Sequence, residues 1–204
     1  MPFRKRENPS AEWFKTQRLQ NDADGYLINP DTNDIYWFHG SPVSPWGLEE
    51  DSDRSTLYLT SSLKAAEGFA CLGYLEGWGF DPVILRMTLK VPAHQIFDIR
   101  NIDTDPRINI LSEQLGIPYG LYYLHYDETL GYEAIDEQIQ AAQNLGFRGW
   151  LETETTLMGI DQPCSIGIYT DVEPQIYEIV GETELSGEGC EEFQLRNNSE
   201  AVTK

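Results

Sequence analysis

Apolar positions along this chain fall into short runs cut by turn-forming residues, and the runs differ in period. "DPVILRMTLKV" (81–91) alternates apolar and polar residues over its second half and predicts a strand. "STLYLTSS" (55–62) predicts a short strand ending in hydroxyls, and "SSLKAAEGFACLGYLEG" (61–77) then takes helical spacing with Ser61 or Ser62 as its cap. "LGYEAIDEQIQAAQNLG" (130–146) predicts a helix with Ile135, Ile139 and Ala142 on one face and Gly146 as its C-terminal stop. "FRGWLE", "CSIGIYTD" and "QIYEIVG" follow as three short β-like runs. Earlier in the chain, "PSAEWFKTQRLQ" (9–20) opens like a helix capped by Ser10, with Trp13 and Phe14 on one side. "GYLINPDTNDIYWFHG" (25–40) reads as a hairpin around a Pro-Asp-Thr-Asn turn. Because the strands cluster instead of alternating with helices, the pattern predicts an α+β domain around a mainly antiparallel sheet.

Composition narrows what such a domain does. At 204 residues, 40% hydrophobic and 12% aromatic, the chain has enough apolar material for a sizeable core. The expected organisation is one domain over 1–186, with a helical extension at about 9–20 and an insertion at about 99–130, where Pro106, Pro118 and "PYGLYYLHY" stand. From Gly187 the sequence turns polar and acidic and predicts a flexible tail over 187–204. A net charge of −20 argues against direct binding to a nucleic-acid backbone, and suits solubility, attraction to a basic protein surface or mimicry of a polyanion. Cys71, Cys164 and Cys190 are odd in number and widely spaced, which predicts free thiols in a reducing cytoplasm and neither a disulfide framework nor a zinc site. "MPFRKRENPS" has the charge of a signal start but no apolar stretch after it, and no run reaches membrane-span length.

The candidate chemistry centres on "IYWFHGSPV" (35–43), where one of only three histidines ends an apolar run and meets a Gly-Ser-Pro turn. A histidine at a strand end, followed by a glycine that lets a ligand approach the backbone, suits a polar planar ligand. His94 and His125 stand in unrelated contexts and read as structural. No Gly-rich phosphate loop and no metal-ligand spacing occurs.

"FHGS", "LYLTSSLKAAEGFA", "VILRMTLKV", "LGFRGWLETE" and "SIGIYTDVEPQIYEI", in that order over most of 35–180, together resemble the ADP-ribosyltransferase fold. The resemblance is to its histidine–tyrosine–glutamate branch and implies a split, mainly antiparallel sheet with flanking helices. It also implies NAD as co-substrate. His39 would hydrogen-bond an NAD ribose hydroxyl, and Gly40, beside Ser41, would hold the nicotinamide amide through its backbone. Tyr58 and, eleven residues on, Phe69 would flank the nicotinamide ring. Arg86 is a candidate partner for the pyrophosphate. The branch places its catalytic glutamate just before the last long strand, where this chain has Ser165 preceded by Cys164. Neither stabilises a cationic ribose.

"FHGSPV", "VILRMTLKV" and "IQAAQNLGFRGWLETE" are similar, more closely, to phage anti-CRISPR ADP-ribosyltransferases that inactivate a type I-F surveillance complex. There an acidic residue soon after "LGFRG" serves the reaction, which implies Glu154, one member of a Glu152-Thr153-Glu154 pair, with Asp161 and Glu133 behind it. The resemblance thus implies an NAD-dependent mono-ADP-ribosyltransferase with His39, Tyr58 and Glu154 at its centre. Its partners would be NAD and a protein target, such as a basic nucleic-acid-binding protein or a CRISPR effector subunit, in a host bacterial cytoplasm. Two other readings stay open: an NAD glycohydrolase, or an inactive protein of this fold whose acidic surface blocks a basic partner.

Overall fold

The computed structural model describes residues 19–43, 56–98, 107, 110, 113, 140–153, 164–170 and 174–202. Within these, seven strands form one sheet: β1 (Tyr36–Ser41), β2 (Thr56–Thr60), β3 (Val83–Leu89), β4 (Ile96–Asp98), β5 (Gly149–Thr153), β6 (Cys164–Tyr169) and β7 (Tyr177–Glu184). Their order is β4-β5-β6-β2-β1-β3-β7, and only the β4–β5 pair is parallel. The α+β class with a mainly antiparallel sheet is therefore the fold observed. Expectations for 9–18, for most of 99–130, and for Glu133, Glu154 and Asp161 concern positions outside the described residues.

Strand alternation builds the core on one face. Leu57 and Leu59 of β2, Trp37 of β1, Leu85 and Met87 of β3, Leu151 of β5, and Ile166 and Ile168 of β6 all lie there and are buried. The registers Trp37–Met87, Leu57–Ile168, Leu59–Ile166 and Leu151–Ile166 put them in contiguous rows. On the other face lies α1 (Leu63–Leu75), which starts where Ser62 caps it by accepting a hydrogen bond from Ala65 N at 3.2 Å. Ala65, Ala66, Ala70 and Gly73 are buried in this helix, small enough to let it settle on the sheet. A β-carbon on Gly40 would meet Ala66 O at 1.8 Å, so α1 can rest on β1 because residue 40 has no side chain. With a layer on both faces, β3 is buried throughout except at Arg86, and its sequence alternation does not become a wet face.

Three expectations change. The 25–40 hairpin does not form as two paired arms. Leu27 N bonds to Leu89 O at 2.7 Å, and Asn29, Asp31 and Asp34 engage the local backbone in a turn, with Asn33 at φ 59°. The tail is not loose, because Gly187–Val202 is a helix, α2, started by Ser186 Oγ accepting from Gly189 N at 3.0 Å. Nor are all three thiols free. Helix α2 packs on α1, burying Cys190 and Phe193 against Tyr74 and Leu75, and Cys71 and Cys190 join in a disulfide with Cα atoms 4.8 Å apart. Cys164 is buried and takes no part in a disulfide. Among the described residues no helix is long and apolar enough to cross a membrane.

Candidate active site

The sheet parts between β1 and β2. The two strands share one registered pair, Phe38 with Thr60, whereas β1 pairs with β3 along its whole length. Beside that pair, Asn29 Nδ2 donates to Tyr36 O (2.8 Å) and Ser61 O (3.0 Å), tying the closed end together. Beyond it the strands diverge, and the His39 side chain crosses the gap, Nδ1 standing 2.6 Å from Tyr58 O. A carbonyl only accepts, so Nδ1 carries the proton and Nε2 of the neutral ring keeps a lone pair. Desolvation by burial lowers the His39 pKa against a smaller upward pull from the Tyr58 carbonyl, which keeps the imidazole neutral near pH 7.

That shift carries a stability consequence. The unfolded chain takes up the His39 proton near the ordinary value of 6.5, before the native state does. The native state therefore loses stability as pH falls below that value. Melting temperatures measured from about pH 7 down to about pH 5.5, above the range where most carboxylates titrate, are expected to fall more steeply for the parent than for His39→Gln. Parallel curves would mean that His39 is equally solvated in both states.

The remaining sequence candidates divide. Gly40 lies under α1 at Ala66–Ala70, the turns that also carry Phe69, while Tyr58 stands on β2 beside the gap. Both aromatic side chains remain accessible, Tyr58 at 42% and Phe69 at 38%, so neither is a fully buried core residue. Tyr58 is held from one side by Trp150, edge-to-face at 5.7 Å, and Trp150 fits there because Gly167 leaves room for its ring. His39, Gly40 and Tyr58 thus lie on the two strands that border the gap, and Phe69 lies on the helix that rests on Gly40. Ser41 is not: it is buried, and its hydroxyl accepts from Val43 N at 3.3 Å in the turn that follows. Arg86 stands apart as well, exposed on β3 with β1 between it and β2, its guanidinium 4.9 Å from the centre of the Tyr36 ring.

Ser165 is buried at the start of β6, opposite Thr60 on one side and Glu152 on the other. Next to it sits a carboxylate that the sequence pattern did not single out. Asp31 accepts from Cys164 N at 2.9 Å and from the Ser61 hydroxyl. Asp31 is separated from Cys164 by 133 positions, and its only local signal was membership of a turn. Among the described residues no group of His, Cys, Asp and Glu is arranged to hold a metal ion.

No protein-family model matches this chain, and no curated protein matches it. Among solved structures it is similar to a chain of the Mycobacterium tuberculosis MbcT–MbcA toxin–antitoxin complex, at 13% identity and a TM-score of 0.36 over 69% of this chain and 71% of that one.

Proposed function

We propose that this chain is an NAD-dependent enzyme that transfers ADP-ribose to a protein, with the gap between β1 and β2 as its NAD site. The observation that carries the reading is the His39–Tyr58 bridge across the gap, which leaves Nε2 of a neutral ring as an acceptor on the strand that carries Gly40, opposite the strand that carries the accessible Tyr58. His39 Nε2 accepts from a ribose hydroxyl, the Gly40 backbone engages the nicotinamide amide, and Tyr58 and Phe69 flank the ring. As the ribose–nicotinamide bond breaks, its electron pair leaves with nicotinamide and positive charge grows on the ribose. A nucleophile of the target protein then bonds to the anomeric carbon and loses its proton. The protein does little covalent chemistry here; it positions NAD and supplies a carboxylate for the developing charge. Glu154, directly after β5, is the proposed carboxylate. A role in phage antidefence rests on the sequence resemblance alone.

The occupancy of the glutamate position by buried Ser165 favours a second reading, a protein that binds NAD without consuming it. Nicotinamide release separates the two. Both readings require binding, and Phe69 tests it. Phe69→Ala is expected to weaken NAD binding roughly fivefold, the worth of about 1 kcal/mol of stacking. Its stability should fall by less than the ~3–5 kcal/mol of a core phenylalanine. Calorimetric titration and denaturant melts check both. Unchanged affinity in a strongly destabilised variant would assign Phe69 to packing and remove the NAD site from this gap.

A further inference from the structure

Two exposed aromatic residues close to the candidate site have no part in it. Trp78 is 70% exposed and Phe80 85% exposed, on the turn that links α1 to β3. This turn is held firmly: Trp78 N bonds to Gly73 O at 2.9 Å, Asp81 N to Pro42 O at 3.2 Å, and Leu185 N to Pro82 O at 2.8 Å. Pro42 is two residues beyond Gly40, so the aromatic turn hangs on the end of the strand that carries His39 and Gly40. Between the turn and β7 lies a cleft of about 270 Å³ lined by Phe80, Asp81, Glu182, Glu184 and Leu185 among others.

Its size and chemistry choose the ligand. The volume is below the ~300–1,000 Å³ of small-molecule and cofactor sites, and suits a single long side chain. Three carboxylates line it, and among the described residues no ion pair involves Asp81, Glu182 or Glu184. Arg86 does not neutralise them. It pairs in register with Gly181, whereas Glu182 pairs with Leu85 and Glu184 with Val83, so alternation sets Arg86 on the opposite face. A neutral apolar guest would leave these carboxylates desolvated and unpaired, but a guanidinium or ammonium satisfies them and lies against the face of Phe80.

We propose that this cleft docks an arginine- or lysine-bearing extended segment of a partner protein. The register rows His39–Leu85–Glu182 and Ser41–Val83–Glu184 place the two glutamates on the face of the sheet to which His39 belongs, two strands away. At strand spacing that is roughly 10 Å, so a basic residue held in the cleft keeps its flanking chain beside the NAD gap. The net charge of −20 draws such a partner in, and the cleft gives the attraction an address. The docking rests on this surface alone and identifies, if the transferase reading holds, the side from which the target approaches.

The test needs no NAD. A fluorescein-labelled peptide of five Gly-Arg repeats is titrated against the protein at about 150 mM salt, with a Gly-Gln peptide as neutral counterpart. The arginine peptide is expected to bind and the neutral one not. Glu182→Gln with Glu184→Gln should weaken binding at least about tenfold, and Phe80→Ala should weaken it as well. Glu191→Gln with Glu192→Gln, an equal charge change at exposed positions on α2, should stay within about twofold. Equal losses in the two double variants would show that binding follows net charge and has no address in the cleft. Failure of the arginine peptide to bind, or equal binding of the neutral peptide, would overturn the proposal and leave the NAD reading untouched.

Discussion

Breaking the Cys71–Cys190 bond is expected to lower the unfolding free energy by roughly 4–5 kcal/mol. The two cysteines are 119 positions apart, so in the chain-entropy account the bond removes a large loop's worth of freedom from the unfolded state. Against the ~5–15 kcal/mol total of a typical domain, that loss is a large share of what keeps the chain folded. Replacing Cys190 by serine adds a buried hydroxyl at a position with no exposed surface, which works in the same direction. Denaturant unfolding with and without reductant checks this: reductant should shift the parent's midpoint and leave that of Cys190→Ser where it is. Midpoints that ignore reductant in both proteins would mean that helix packing alone holds α2 in place. The bond also matters to the site, because Phe69 precedes Cys71 by two residues on the helix that α2 clasps.

Glu154→Gln is expected to slow NAD consumption by about 100- to 1000-fold while NAD affinity changes little. The substitution keeps size and hydrogen bonding but removes the charge that stabilises a cationic ribose, and that interaction belongs to the transition state. Ser165 has no charge to offer, and β5 ends at Thr153, immediately before Glu154. Glu152→Gln is the matched control and should be milder. Asp31→Asn is the informative competitor, since Asp31 already bonds the backbone amide of Cys164, one residue from Ser165. Single-turnover nicotinamide release for the three variants reads the result. A larger loss in Asp31→Asn, at unchanged fold and affinity, would move the role to Asp31, and full activity in Glu154→Gln would defeat the assignment.

Much of this fold was legible where local chemistry and tertiary demand agree. Gly146 does stop its helix, at φ +86° with Phe147 N bonding back to Ala142 O, and Ser62 does cap α1. The strands of the second half also lie where their β-prone runs predict. What escaped depended on distant partners or was masked by composition. Polarity hid α2, although Ser186 offered a cap and Cys190 and Phe193 share one face at a spacing of three. The disulfide became possible only when α2 met α1, a contact no spacing rule reports. β4 is three residues long and owes its pairing to β5. Of the site candidates, His39, Gly40 and Tyr58 fall on the two strands that border the gap, and Phe69 falls on the helix above Gly40. Ser41 and Arg86 did not belong there, since the turn after β1 and the Tyr36 ring already engage them.

The central claim, that NAD enters the gap beside His39, is tested most directly by the nitrogen-15 NMR spectrum of the histidine side chains during an NAD titration. The chain has only three histidines, so His39 is resolved by comparison with His39→Gln. His39 should be neutral and protonated at Nδ1 before NAD is added. Its Nε2 signal should then move saturably with NAD, while the signals of His94 and His125 stay in place. A His39 signal that remains unmoved at millimolar NAD would contradict the claim.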